Sequence, residues 1–143
     1  MSRRVPRILA IGGSDSGGGA GVQADLKTVT MLGGHAMTAI TALTAQNTLG
    51  VDAMMPLPAD FVLKQIDAVA RDIGVDAIKI GMIGSSETAL AVAERLKDFA
   101  DIPIVFDPVM VATSGDRLLR ADAVEALRTE LLPLATVATP NLP

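Results

Sequence analysis

Residues 8–25, ILAIGGSDSGGGAGVQAD, constrain the fold more than any other part of the chain. The first four form a short continuous apolar run, which is typical of a central parallel strand buried on both faces. The glycines that follow allow a sharp turn and leave backbone that a ligand can approach closely. The segment therefore predicts a strand, a turn, a helix start and a site for a polar small molecule. The alternative is a connector with no chemical role.

The same glycines do not match two common phosphate-binding motifs. The pattern G-x-G-x-x-G would need a third glycine where Val22 stands. A P-loop would need a lysine after the glycines, but the first lysine of the chain is Lys27. The turn therefore indicates a polar pocket without indicating a dinucleotide.

Composition limits the class of protein. The 143 residues suit a single domain with a sizeable core, and 50% hydrophobic with 20% charged residues is typical of a globular chain. The net charge of −4 and an aromatic content of 2% argue against nucleic-acid binding. No apolar run reaches the ~20 residues of a membrane span. With no cysteine and one histidine, His35, we expect neither a metal cluster nor a Ser-His-Asp triad, and we expect a cytoplasmic protein.

Strand and helix signals alternate along the chain. Strands are predicted within residues 8–11, 35–46, 51–57, 77–80 and 102–106 and from residue 136. Helices are predicted over 21–32 and 58–73, after a cap at Ser85 or Ser86, and from a capping box of Asp122 and Glu125 as far as Pro133. This alternation predicts a mostly parallel sheet with helices on both faces. Ligands bind such sheets at the carboxyl ends of the strands, where polar residues recur here.

Five segments carry a family resemblance: GGSDSGGGAGVQADLKT, ITALTAQNTLGV, IKIGMIGS, VFDPVMVATSGD and TPNLP. Together they resemble the hydroxymethylpyrimidine/phosphomethylpyrimidine kinases of thiamine biosynthesis, which belong to the ribokinase-like superfamily. The resemblance implies a three-layer α/β/α fold. It also implies ATP- and Mg²⁺-dependent phosphorylation of 4-amino-5-hydroxymethyl-2-methylpyrimidine and then of its monophosphate. A homodimer is left open.

The resemblance also implies roles for individual residues. Gln46 matches the glutamine that reads the aminopyrimidine edge, and Asp25 matches an aspartate near the hydroxymethyl group. Gly13 matches a close-approach glycine, and Met82 and Val109 match apolar walls of the pocket. Simpler explanations exist for four of these residues: a helix-start charge for Asp25, an exposed loop residue for Gln46, and core residues for Met82 and Val109.

Asp107 and Asn141 resemble residues around the metal and phosphates, although each stands beside a proline and could be a turn residue. The loop 114–116 is a candidate lid. The family's Asn-x-x-Glu element would begin at Asn141, so we expect the catalytic residues beyond Pro143. Residues 1–143 would then be the N-terminal portion of a single, truncated ribokinase-like domain, inactive alone. The alternatives are a short pyrimidine-binding module without kinase activity and a pyridoxal-type kinase.

Overall fold

The computed structural model describes residues 4–109 and 121–141. The strands and helices within these ranges follow the predicted alternation. The strands are β1 (Arg7–Ser14), β2 (His35–Gln46), β3 (Val51–Pro56), β4 (Ala77–Ile80), β5 (Ile104–Phe106) and β6 (Val137–Ala138). The helices are α1 (Gly21–Met31), α2 (Ala59–Asp72), α3 (Ser86–Leu96) and α4 (Ala121–Ala126). No helix in the described part of the chain is long and apolar enough to cross a membrane.

The six strands form one sheet in the order β3-β2-β1-β4-β5-β6. All neighbouring pairs are parallel except β2 and β3, which form an antiparallel pair at one edge. Strand β1 lies between β2 and β4, so the chain winds outward from β1 in both directions. The carboxyl end of β1 is therefore the switch point, where open α/β sheets form their ligand crevice.

The helices lie on both faces of this sheet, as β4 illustrates. Ile78 and Ile80 belong to the buried cluster that includes residues of α2 and α3. Lys79, between them, forms an ion pair with Asp25 of α1. Because alternate residues of a strand point to opposite faces, α1 and the α2–α3 pair cover opposite faces. The three-layer α/β/α prediction is confirmed.

The main core lies between the sheet and α2, α3 and the segment that follows α4. Its largest fully buried side chains include Phe106, Leu9, Ile11, Ile66, Ile78, Ile80, Leu96 and Leu131. Ile73, the last residue of the helix predicted over 58–73, lies outside α2 and is 37% exposed. The reason is local: α2 ends at Asp72, and Gly74 turns the chain with φ of +82°.

Helix ends were predicted with mixed success. The Ser85 hydroxyl caps α3 by accepting a hydrogen bond from the Thr88 N–H at 3.1 Å, as expected. The capping box at Asp122 and Glu125 is wrong, because Asp122 lies inside α4 and accepts a hydrogen bond from Ser86. The helix also does not continue unchanged to Pro133. It becomes a π-helical turn at Leu127–Leu131 and a 3₁₀ turn at Leu132–Leu134.

Candidate small-molecule site

A pocket of about 470 Å³ lies at the carboxyl edge of the sheet, beside the switch point. Its size falls within the range of small-molecule sites. The ends of β1, β2, β4 and β5 and the start of α1 contribute to it. All seven residues singled out in the sequence line this pocket: Gly13, Asp25, Gln46, Met82, Asp107, Val109 and Asn141.

The glycine-rich turn is wound around one carboxylate, that of Asp15. This carboxylate accepts hydrogen bonds from the backbone N–H groups of Gly17 (2.7 Å), Gly19 (2.9 Å) and Ala20 (2.8 Å). Desolvation by burial raises the pKa of Asp15, but the backbone donors outweigh it, so the pKa lies below its ordinary value. Asp15 is therefore an ionised anchor that fixes the conformation of the turn.

This arrangement limits the expectation that a ligand can closely approach the glycine backbone to part of the turn. The N–H groups of residues 17, 19 and 20 already bond to Asp15. Gly12, Gly13 and Gly21 are the glycines of this segment that line the pocket. The signal for Asp15 was present in the sequence, because aspartate commonly accepts from the N–H two residues on in a turn.

Two glycines permit close packing at the pocket wall. A Cβ on Gly21, whose φ is +57°, would lie 2.3 Å from the Gly13 carbonyl oxygen. Helix α1 can therefore begin against β1 only with glycine at this position. A Cβ on Gly13 would lie 2.3 Å from the Met82 methyl group, so Gly13 gives that side chain its space.

Gln46 is held at the end of β2 by its neighbours. The Ser16 hydroxyl accepts from the Gln46 N–H and donates to the Gln46 carbonyl, both at 2.7 Å. The Gln46 carboxamide lies 3.2 Å from the Thr44 hydroxyl. The glycine-rich turn thus fixes the backbone of Gln46, and Thr44 contacts its side chain.

A lysine that sequence reasoning missed lies between two of the expected acids. The Lys79 ammonium is 3.0 Å and 3.1 Å from the two carboxylate oxygens of Asp25 and 4.0 Å from Asp107. A Cβ on Gly81 would lie 3.0 Å from that ammonium, so Gly81 leaves room for it. The three charged side chains are partly buried and sum to one negative charge. The alternation of residues in β4 could have indicated this lysine, because Lys79 stands between two buried isoleucines and therefore points to the opposite face of the sheet.

The apolar walls come from Met82 and Val109. Met82 is only 8% exposed, and its backbone carbonyl accepts a hydrogen bond from the buried Thr41 hydroxyl. Val109 is half-buried, and its N–H donates to the Asp107 carbonyl. His35 begins β2 at the opposite edge of the sheet. The predicted lid at 114–116 lies outside the described residues.

The pocket offers oxygen ligands of the kind Mg²⁺ prefers, from Asp107, Asp25 and Asn141. Within residues 4–109 and 121–141, however, no three His, Cys, Asp or Glu side chains group closely enough to hold a metal ion. The donor set therefore fits part of a magnesium site. The N–H groups of the glycine-rich turn bond to Asp15 and do not fit a cradle for the phosphates of ATP.

Fold and pocket together define an open α/β protein with a polar small-molecule site at its switch point. The phosphomethylpyrimidine kinase family model matches residues 15–143, and the chain belongs to that family. It is 59% identical, over 134 residues, to the hydroxymethylpyrimidine/phosphomethylpyrimidine kinase of Rhizobium meliloti strain 1021, covering 94% of this chain and 50% of that protein. The ribokinase-like fold expected from the sequence is confirmed.

Two solved structures of related kinases superpose on this chain. The phosphomethylpyrimidine kinase of Clostridium difficile 630 superposes with a TM-score of 0.88 at 48% identity, covering 98% of this chain and 60% of that one. The pyridoxal kinase of Staphylococcus aureus in complex with AMP-PCP and pyridoxal gives a TM-score of 0.81 at 40% identity, covering 98% of this chain and 49% of that one. The chain spans about half the length of the curated kinases it matches.

Proposed function

We propose that this chain forms the pyrimidine-binding part of a kinase that phosphorylates 4-amino-5-hydroxymethyl-2-methylpyrimidine and its monophosphate. The observation that carries the proposal is one pocket that combines a carboxamide, a carboxylate and two apolar walls: Gln46, Asp25, Met82 and Val109. A carboxamide offers a donor and an acceptor, which complement the ring nitrogen and exocyclic amine of an aminopyrimidine. The apolar walls suit the faces of a flat ring.

In this proposal, Asp25 acts on the hydroxymethyl end of the substrate. It lies in the second turn of α1, and its carboxylate is held by Lys79 at the pocket wall. A carboxylate so placed can accept a hydrogen bond from the substrate hydroxyl and orient it for phosphorylation. Asp107 and Asn141 would contribute oxygen ligands to Mg²⁺, whose chemistry is to neutralise charge on the phosphates of ATP.

The phosphoryl-transfer machinery belongs, in this proposal, to the other half of the fold. Curated relatives are about twice as long as this chain, and a kinase needs donors aimed at the transferred phosphoryl group. Residues 1–143 then make the N-terminal portion of a single ribokinase-like domain. We place the reaction in the cytoplasm, and a homodimer stays a prediction.

A pyridoxal-type kinase is the second candidate. The Staphylococcus aureus pyridoxal kinase in complex with pyridoxal superposes with a TM-score of 0.85 at 39% identity, so the same fold accommodates that ring. The carboxamide of Gln46 favours an aminopyrimidine, because the carbons beside the ring nitrogen of pyridoxal carry a methyl group and a hydrogen and no amine.

Calorimetric titration of the purified protein with each ring distinguishes the two candidates. We expect 4-amino-5-hydroxymethyl-2-methylpyrimidine to bind more tightly than pyridoxal, and the reverse order would favour the second candidate.

In the complete kinase, Asp25→Asn should lower turnover more than it weakens pyrimidine binding. Asp60→Asn, which changes an exposed aspartate paired with Lys64 on α2, is the matched control. Equal losses in turnover and binding would contradict the role of Asp25.

A further inference from the structure

The Thr44 hydroxyl contacts two groups with its single proton. It lies 2.8 Å from the Ser14 carbonyl oxygen and 3.2 Å from Oε1 of the Gln46 carboxamide. A hydroxyl donates one hydrogen bond, and a carbonyl can only accept. Both contacts can be hydrogen bonds only if the proton goes to Ser14, because the carboxamide can present its nitrogen instead and the Ser14 carbonyl cannot; a Thr44 lone pair then faces Gln46.

The Gln46 atom that faces Thr44 must then be a donor. The oxygen and nitrogen of a carboxamide have nearly the same shape, so their assignment follows from their hydrogen-bond partners. With Oε1 against Thr44, two lone pairs would oppose each other. A half-turn of the carboxamide places Nε2 there instead, and both contacts become hydrogen bonds.

We propose that Thr44 is a positioning residue that locks the Gln46 carboxamide with Nε2 toward Thr44 and Oε1 toward the ligand, and that this orientation sets the ring specificity. This inference rests on the proposed function. An aminopyrimidine edge presents a donor on its amine and an acceptor on its ring nitrogen. The corresponding 4-oxo ring presents an acceptor on its carbonyl and a donor on its ring nitrogen. A carboxamide held in one orientation can pair its oxygen with the donor and its nitrogen with the acceptor of only one of these two rings, the 4-amino ring. A carboxamide that rotates freely can pair with either ring.

The backbone of Gln46 is fixed by other residues, so Thr44 controls only the rotation of the Gln46 carboxamide. Ser16 holds the backbone of Gln46 through two hydrogen bonds of 2.7 Å. Ser14, which receives the Thr44 proton, lies in β1, and its hydroxyl accepts a hydrogen bond from Gln23 of α1 at 2.7 Å. The hydrogen bonds that position Thr44 and Gln46 are therefore connected to both β1 and α1.

The test compares two ligands of one shape: 4-amino-5-hydroxymethyl-2-methylpyrimidine and its 4-oxo counterpart. Wild-type protein should prefer the 4-amino ring. Thr44→Val, which removes the hydroxyl and keeps the shape, should reduce that preference about tenfold, the effect of one hydrogen bond. Thr44→Ser, which keeps the hydroxyl, should retain it. In a Gln46→Ala background, Thr44→Val should leave the preference unchanged, because Thr44 acts through Gln46.

An unchanged preference in Thr44→Val, or an equal change in the Gln46→Ala background, would overturn the role of Thr44 while leaving the proposed function intact. Wild-type protein that binds neither ring would overturn the proposed function, and this inference with it. Nuclear Overhauser contacts in the wild-type protein provide a second test that needs no variant. We expect contacts between the Gln46 Nε2 protons and the Thr44 side chain, and their absence would contradict the lock.

Discussion

The two faces of the central strands differ sharply in what their side chains do. On the face toward α2 and α3, β1 and β4 present large, fully buried aliphatic side chains: Leu9, Ile11, Ile78 and Ile80. On the face toward α1, the same strands and the residues that follow them present Ala10, Gly12, Lys79 and Gly81, which are small or charged. Neighbouring residues therefore serve opposite purposes: one face stabilises the fold, and the other leaves space for a ligand.

The difference between the two faces shows how one strand can contribute both to the hydrophobic core and to a binding site. Burial of the aliphatic face contributes most of the stabilisation available to these strands. The α1 face can then tolerate glycines and a partly buried ion pair, which contribute little or cost free energy. Substitutions on the two faces should accordingly give different signatures.

The largest expected effect is on the aliphatic face. Ile80 is fully buried, and Ile80→Ala should lower the free energy of unfolding by about 2–5 kcal/mol through lost burial and a residual cavity. Urea denaturation measures this loss. Ile73→Ala, at a position 37% exposed, makes the same chemical change and should cost much less. Equal losses would contradict the division between the faces.

The next effect is a clash at the start of α1. Gly21→Ala should destabilise the protein by about 1–3 kcal/mol from its positive φ alone, and further because the added Cβ would meet the Gly13 carbonyl. Gly33→Ala is the matched control, since Gly33 has φ of +82° but no atom within 4 Å of the added Cβ. The midpoint temperature of thermal unfolding should be lower for Gly21→Ala than for Gly33→Ala. The opposite order would show that the contact between α1 and β1 is loose.

A smaller effect is expected at the anchor of the glycine-rich turn. Asp15→Asn should cost about 1–3 kcal/mol, because an amide replaces one acceptor oxygen with a donor that faces backbone N–H groups. The pKa of Asp15 is lowered in the folded state, so its contribution is complete above the ordinary carboxyl pKa of ~4 and is lost as the pH falls through the folded-state value.

Unfolding measured between neutral and acidic pH tests this linkage. The difference between wild-type protein and Asp15→Asn should be largest near neutrality and should shrink on acidification. A difference that is independent of pH would mean that the Asp15 carboxylate is not what holds the turn.

The sequence predicted the fold well because its signals are local. Short β-branched runs, glycine stops and the Ser85 cap each act within a few residues. Part of the pocket was also predicted: Gln46, Asp107 and Asn141 follow strands whose carboxyl ends meet at one edge of the sheet, whereas Asp25, Gly13 and Val109 were expected only from the family resemblance.

What the sequence did not predict depends on contacts between distant elements. Lys79 pairs with Asp25 across 54 positions, and Thr44 reaches Ser14 across 30. Asp122 likewise accepts a hydrogen bond from Ser86 of another helix, 36 positions away. Spacing along the chain gives no information about such partners.

We propose that the pocket at the carboxyl edge of the sheet binds the pyrimidine and that Gln46 contacts its aminopyrimidine edge. Titration calorimetry with 4-amino-5-hydroxymethyl-2-methylpyrimidine tests it most directly, comparing wild-type protein, Gln46→Ala and Gln65→Ala. Gln65 lies on α2, where its carboxamide bonds to the backbone of Ile40, so it is a glutamine of matched size outside the pocket. We predict that Gln46→Ala weakens binding by about 1–3 kcal/mol while Gln65→Ala leaves the affinity unchanged. Unchanged affinity in Gln46→Ala, or equal weakening in both variants, would contradict the account.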